Sequence, residues 1–250
     1  MKVGIIVIAT GKYYMFIKDL VESFESFFIP DADKHYFILT DKSDPDIIGD
    51  NIHYIEHQKE EWPFVSLFRF KNVYQHREKF ESVDYLFFSN ANMKAVDIIS
   101  EEILPKDNFE FAAVLHPGYY LDQARLFPYE RNEWSNAYIP YGIGQYYFQG
   151  CFYGGKRENF LEMFKEISIS VEDDLERNII AIVHDESHLN KYLLDRNVLT
   201  LDPIYSYPEQ IFFGESDYRD CASYVELAKK KPKMIQIDKR KLGGHDFLRQ

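Results

Sequence analysis

The stretch 3–28, VGIIVIATGKYYMFIKDLVESFESFF, changes its period halfway. Val3–Thr10 is an uninterrupted apolar run rich in β-branched residues, which reads as a buried strand ending at Gly11. From Tyr14 to Phe28 the apolar residues Phe16, Leu20, Val21, Phe24 and Phe27 recur at helical spacing, and Pro30 stops the run. The same alternation continues outward. Tyr36–Thr40 and Ile52–Ile55 are strand-like, Phe64–Phe80 carries one long helical pattern, and Tyr85–Ser89 and Phe111–Leu115 are apolar strands. Strands alternating with helices argue for an α/β fold with a mixed, mostly parallel central sheet.

The second half is less regular. Pro128–Gly144 is rich in Asn, Tyr, Pro and Gly and reads as a loop. Gln145–Tyr153 is an aromatic strand closed by Gly154-Gly155. Asn159–Ile182 is helical with an expected interruption near Ser168–Ser170, His184–Leu194 continues as helix, and Met234–Ile237 is a last short strand. No internal repeat or linker divides the chain, so one domain over 1–250 is expected. Ligands of such sheets sit beyond the carboxyl ends of the strands. Three polar clusters fall there: Thr10-Gly11-Lys12, Asn90-Ala91-Asn92 and His116-Pro117-Gly118.

Composition narrows the function. A chain of 250 residues with 46% hydrophobic content can build a full core, and disorder is excluded. A net charge of −12 argues against nucleic acid or an anionic membrane as partner. Two cysteines cannot form a disulfide framework or a four-thiolate zinc site, and they suit a reducing compartment. No apolar run reaches the roughly 18 residues of a membrane helix, so a cytoplasmic location without a transmembrane segment is expected. The charge is uneven. Residues 228–250 hold eight basic and two acidic side chains, a tail of +6 on a body of −18. Such a tail is either a solvated, partly disordered end or a clamp for a phosphorylated ligand.

A series of short motifs then appears in order: Val83-Asp84-Tyr85-Leu86, Asn90-Ala91-Asn92-Met93, Leu115-His116-Pro117-Gly118-Tyr119, Tyr129-Glu130-Arg131, Ala137-Tyr138-Ile139-Pro140, Gly154-Gly155, and HDESHLNKY at His184–Tyr192. Together, over roughly residues 3–250, they resemble the catalytic domain of glycosyltransferase family six, in its bacterial metal-independent form. That family includes the histo-blood-group A and B transferases and the α1,3-galactosyltransferases. The resemblance implies a glycosyltransferase A fold, a single Rossmann-like domain. It also implies retaining transfer of GalNAc or Gal from a UDP-sugar donor to a galactoside acceptor. The expected division is a nucleotide-binding half (1–92), an acceptor and catalytic half (93–227), and a basic tail (228–250) closing over the diphosphate.

The resemblance assigns residues. Glu186 is the catalytic carboxylate at the anomeric carbon, either attacking it or stabilising the oxocarbenium-like transition state; the sequence leaves both open. Ile8, Ala9 and Tyr13 match the segment that packs on uracil. Arg69 and Asp185 match contacts to donor-sugar hydroxyls, and Trp62 matches an aromatic nearby. Gln149-Gly150-Cys151 occupies the donor-selectivity stretch; it leans to GalNAc, because Gly150 is small and Gln149 offers a hydrogen bond to an acetamide, with Gal as the alternative. His116 and Tyr119 match the acceptor region, as does Glu186. Gly118 favours a fucosylated, H-antigen-like acceptor such as 2′-fucosyllactose. Val183 and Pro128 depart from the family's Trp and Thr.

The largest departure is at Asn90 and Asn92, where animal members carry the two Asp residues that hold Mn²⁺. Neutral amides are poor ligands for a hard divalent ion. No metal site and no cofactor are therefore expected, and charge on the leaving diphosphate must be offset otherwise. Lys239 matches a tail Lys that reaches the diphosphate; its partner Arg is ambiguous between the positions of His245 and Arg249. Two other readings compete. His184 and His188, four apart, resemble a zinc pair, but Asp185 stands where that motif needs Glu and no third ligand follows. A non-catalytic carbohydrate-binding protein would suit the 19 tyrosines, yet has no use for Glu186, Asp185 and Arg69 beside a nucleotide pocket.

Overall fold

A computed structural model describes residues 1–42, 45–213 and 221–249. The order along the chain begins β1 (Lys2–Ile8), α1 (Ile17–Phe27), β2 (Asp33–Thr40), β3 (Ile52–Glu56), α2 (Phe64–Leu67), α3 (Arg69–Tyr74) and β4 (Tyr85–Ser89). It continues β5 (Met93–Ala95), β6 (Phe111–Leu115), β7 (Phe148–Lys156), α4 (Arg157–Glu176), α5 (His184–Leu193), β8 (Val198–Leu201) and β9 (Tyr207–Pro208). It closes with α6 (Glu209–Phe212), α7 (Ala222–Leu227), β10 (Met234–Gln236) and α8 (Gly244–Leu248).

Seven strands form one sheet in the order β3-β2-β1-β4-β7-β6-β8, and β5-β10-β9 form a small second sheet. In the large sheet only β7 runs antiparallel to its neighbours, β4 and β6. The expected mixed, mostly parallel sheet is present, and its strands come from both halves of the chain. β1 shows why it reads as an unbroken apolar run. Ile5 and Val7 enter one core with Phe24, Phe28, Phe87 and Phe152, while Ile6 enters the other with Phe70, Phe88, Tyr153 and Phe164. Both faces are covered, so neither set of alternate residues can be polar.

Several expected boundaries are corrected. The pattern over Phe64–Phe80 is not one helix: Phe68, at φ −85° and ψ 1°, separates α2 from α3, and a 3-10 turn follows at Arg77–Phe80. The break starts a new turn at Arg69, whose guanidinium reaches β7. Ser168–Ser170 do not interrupt α4. The Ser168 hydroxyl donates to the Lys165 carbonyl at 2.8 Å, and the Ser170 hydroxyl meets His188 Nδ1 at 3.0 Å. Serines bonded in this way sit inside a helix. Gly154 and Gly155 do not end β7; they lie within it. A Cβ at Gly154 would come 2.4 Å from a Phe87 ring carbon, and one at Gly155 would come 2.8 Å from the Glu110 carbonyl. They are glycines because neighbours approach closely there. The edge strand β8 and the short β5 and β9 carry too few residues to register in a periodicity argument.

Candidate active site

A cleft of about 280 Å³ opens beyond the carboxyl ends of β1 and β4. Its lining includes Ile8, Thr10, Tyr13, Arg69, Asn90, Asn92, Gln149, Gly150, Cys151, Asp185, Glu186 and Lys239. Of the expected donor-site residues, Ala9 alone is not on that wall. It is fully buried, its N–H donates to Leu39 and its carbonyl accepts from Thr40 Oγ1, so it forms the floor beneath. Thr10 stands at the wall in its place.

The motif HDESHLN is used residue by residue. Ser187 Oγ accepts the Val183 N–H at 3.0 Å, closing the turn that starts α5. Asn190 donates to the Phe148 carbonyl and accepts the Phe148 N–H, both at 2.8 Å, so its amide docks α5 on β7 like a one-residue strand. His188 is buried between Ser170 and Asp174 of α4, and burial depresses it to about 4. It is a packing histidine turned to α4. His184 faces the cleft, its ring 4.6 Å from that of Trp62. The two histidines do not converge, and among the described residues no three His, Cys, Asp or Glu side chains gather as metal ligands. Leu189 fills the core.

That scaffold holds Glu186. Its Oε1 accepts from Tyr147 Oη and its Oε2 from the Gly150 N–H, each at 2.7 Å. Burial pushes the carboxyl up to about 7, against the pull of those two donors. Asp185 pairs with Arg69 at 3.0 Å, and the same guanidinium nitrogen donates to the Gly150 carbonyl at 2.7 Å. Gly150 thus binds Glu186 through its N–H and Arg69 through its C=O. A Cβ there would lie 3.1 Å from Asp185 and 3.5 Å from Glu186. Its small size serves the two carboxylates as well as any ligand. Tyr147 was missed by sequence reasoning; the only signal was its place in an aromatic strand.

On the far side of Glu186, His116 and Tyr119 adjoin Tyr147, with ring centroids 5.8 Å and 5.4 Å from it. His116 Nδ1 accepts the Gly118 N–H at 3.0 Å, and burial holds the ring down to about 4. At neutral pH it is uncharged, with its proton on Nε2; neither His116 nor Tyr119 is among the residues that line the cleft.

The tail folds onto the cleft; it carries β10, a 3-10 turn at Lys239–Leu242 and α8. Four of its lysines pair with the body instead: Lys229 with Glu226, Lys230 with Asp202, Lys231 with Asp97 and Lys233 with Glu102. Of its described residues, His245 and the two cations Lys239 and Arg249 line the cleft. The cations meet aromatic faces, Lys239 over Tyr13 at 5.3 Å and Arg249 over Trp62 at 4.2 Å. His245 Nδ1 lies 2.9 Å from Tyr13 Oη. Burial, and then the nearby Arg69 and Arg249, depress Lys239 to about 8. Crowded cations of this kind are relieved by a bound anion. Asn92 connects the tail to the strand end. Its Nδ2 donates to the Ile237 carbonyl at 2.9 Å, and its own carbonyl accepts the Ile237 N–H at 2.8 Å. A carboxylate could not make the first bond. Asn90 borders the cleft on the same turn, its N–H on the Cys151 carbonyl at 2.8 Å.

An α/β sheet with a buried carboxylate, an arginine and two cations at its strand ends is the architecture of a glycosyltransferase-A-like domain. A sequence model of the family described as Glycosyltransferase family 6 matches residues 1–233, and the chain belongs to that family. It is 36% identical over 221 residues to the "O-antigen biosynthesis glycosyltransferase WbnI" of Escherichia coli, covering 86% of this chain and 91% of that one. It is 32% identical over 218 residues to the "Histo-blood group ABO system transferase 2" of Rattus norvegicus, covering 84% and 64%. It is 29% identical over 219 residues to the "Globoside alpha-1,3-N-acetylgalactosaminyltransferase 1" of Mus musculus, covering 83% and 61%. The chain therefore spans somewhat under two thirds of those two mammalian relatives. As a family member it is a hexosyltransferase with a nucleotide-sugar donor and a glycan acceptor. Among the described residues no helix is long and apolar enough to cross a membrane.

Proposed function

We propose that the protein transfers GalNAc from UDP-GalNAc, with retention and without a metal ion, to the 3-position of a β-galactoside of the fucosylated, H-antigen-like type. The observation that carries this is the presence of Glu186 and the tail cations Lys239 and Arg249 on the wall of one cleft. A carboxylate locked by Tyr147 and Gly150 is suited to positive charge developing at the anomeric carbon. Lys239 and Arg249 are suited to negative charge developing on the departing diphosphate. Asp185 and Arg69 stand beside Glu186, where the hydroxyls of the donor sugar would bind. The neutral His116 would receive an acceptor hydroxyl on the Tyr147 side.

The metal-free part rests on Asn90 and Asn92. Asn92 spends its N–H on Ile237, which a metal-ligating carboxylate could not do. The donor part rests on Gln149, argued further below, and one mammalian relative is named as an α-1,3-N-acetylgalactosaminyltransferase. A reducing cytoplasm is part of this reading, because Cys151 and Cys221 are both free thiols. A carbohydrate-binding role without catalysis has no use for a carboxylate held in this way.

The test is incubation with UDP-GalNAc or UDP-Gal and 2′-fucosyllactose in the presence of EDTA. The expected result is a tetrasaccharide carrying one α-linked GalNAc from UDP-GalNAc, identified by its anomeric proton coupling. Strict dependence on Mn²⁺ defeats the metal-free part. Product from UDP-Gal alone defeats the donor assignment. A β-linked product defeats retention.

A further inference from the structure

The side chain of Gln149 is held by a second amide from the small sheet. Gln149 lies on β7 and borders the cleft; Gln236 lies on β10 and does not. Gln236 Nε2 donates to the Ser206 carbonyl at 2.7 Å and to Gln149 Oε1 at 2.9 Å. In return Gln149 Nε2 meets Gln236 Oε1 at 3.4 Å. The Cys151 thiol also donates to Gln149 Oε1, at 3.2 Å.

The orientation of both amides follows from one atom. A peptide carbonyl can only accept, so the group of Gln236 facing Ser206 must be its NH₂. Ser206 is fully buried, so its carbonyl is kept from bulk solvent. Both hydrogens of Gln236 Nε2 are then committed, one to Ser206 and one to Gln149. Gln149 must turn its oxygen toward Gln236, where the Cys151 thiol also reaches it. Burial drives that thiol up, so it keeps its proton and remains a donor. The capacity left on Gln149 is the second hydrogen of its Nε2.

We infer that Gln236 is a positioning residue for donor selection: through Ser206 and Gln149 it fixes an N–H, not a C=O, at the cleft wall beside Gly150. This rests on the donor reading above. The group such an N–H takes is a hydrogen-bond acceptor on the donor sugar, best the carbonyl oxygen of a 2-acetamido group. A free 2-hydroxyl can turn its own O–H to either a donor or an acceptor, so it gains less from a wall of fixed polarity. Gln149 alone, free to flip, would discriminate little.

The experiment compares Gln236→Met, Gln236→Glu and Gln149→Met with the parent. It reads kcat and KM for UDP-GalNAc and UDP-Gal, and the dissociation constant of UDP by calorimetry. Methionine keeps the volume and removes all three bonds; glutamate accepts from Gln149 but cannot donate to Ser206 or to Gln149 Oε1. Each variant is expected to lose about three- to tenfold in kcat/KM for UDP-GalNAc, carried by KM, the worth of one hydrogen bond. Loss with UDP-Gal is expected to be smaller and UDP affinity to stay within twofold. The double variant Gln149→Met/Gln236→Met should lose no more than either single one, since both remove the same unit.

An unmoved donor ratio with intact UDP binding overturns the inference. So does a parallel loss of both donors and of UDP, because a merely structural Gln236 would displace Lys239, three residues on along the same segment. Should Gln236→Met not fold, Gln236→Glu and Gln149→Met decide by the same criteria. If the parent uses UDP-Gal alone, the donor assignment of the proposed function fails by itself. The positioning role then stands on a raised KM for UDP-Gal with UDP affinity unchanged, and falls if that KM does not move.

Discussion

Helix α5 and the C-terminal tail line the same cleft but are held there by different means. In α5 every residue from His184 to Asn190 has a task, and the ties are buried hydrogen bonds to β7 and α4. The tail is held by cations on aromatic rings, Lys12 on Phe247 at 3.5 Å and Arg249 on Trp62 at 4.2 Å, by the buried Leu248, and by the backbone clasp of Asn92 on Ile237. In the proposed function, the carboxylate aimed at one carbon sits on the element tied by directional hydrogen bonds. The cations that admit and release a nucleotide in that function sit on the segment whose cleft-side ties are cation–aromatic contacts.

That contrast can be broken in order of expected effect. Glu186→Gln should lower kcat by about 10³-fold or more while the far-ultraviolet spectrum and UDP affinity persist, because it removes charge and not shape. Retained activity would take Glu186 out of the chemistry. Lys239→Ala should weaken UDP by about 30-fold or more, as the loss of a buried charged contact to an anion does, with thermal stability little changed. Calorimetry reads the first and a melting curve the second.

Asn92→Asp sharpens the comparison. It sets a carboxylate against the Ile237 carbonyl and should weaken UDP about tenfold with no loss in α5, the cost of an unmade buried hydrogen bond. The smallest effect is in pH dependence. Glu186 acts ionised, so kcat/KM should rise as pH passes its value of about 7. Lys239 acts protonated, so kcat/KM should fall as pH passes about 8. The expected profile is a narrow bell between those limits. Lys239→Arg should remove the alkaline limb alone.

Much of the candidate site is legible in the chain because it depends on local order. β1 and its helix follow from a change in period, and the strand-end clusters follow from where apolar runs stop. HDESHLNKY names Asp185 and Glu186 because one helical turn supplies both. Other parts do not register. Gly154 and Gly155 look like a stop until Phe87 and Glu110 are seen against them. The Phe64–Phe80 pattern has helical period throughout, yet it breaks at Phe68. Tyr147 carries no mark that separates it from the other tyrosines. The tail's charge is plain, but not that four of its lysines pair with the body and two cations face the cleft.

The sequence by itself determined the α/β class, the family, the carboxylate and the replacement of two acids by amides, since each resides in residue type and near-neighbour spacing. Only the tertiary structure decided what those residues do to one another. Gly150 bridges Glu186 and Arg69, Asn92 clasps Ile237 across 145 positions, and Gln236 orients Gln149 across 87. The physical reason is that a hydrogen bond has direction. Which end of an amide donates is set by the partner opposite, and the fold alone brings that partner into place.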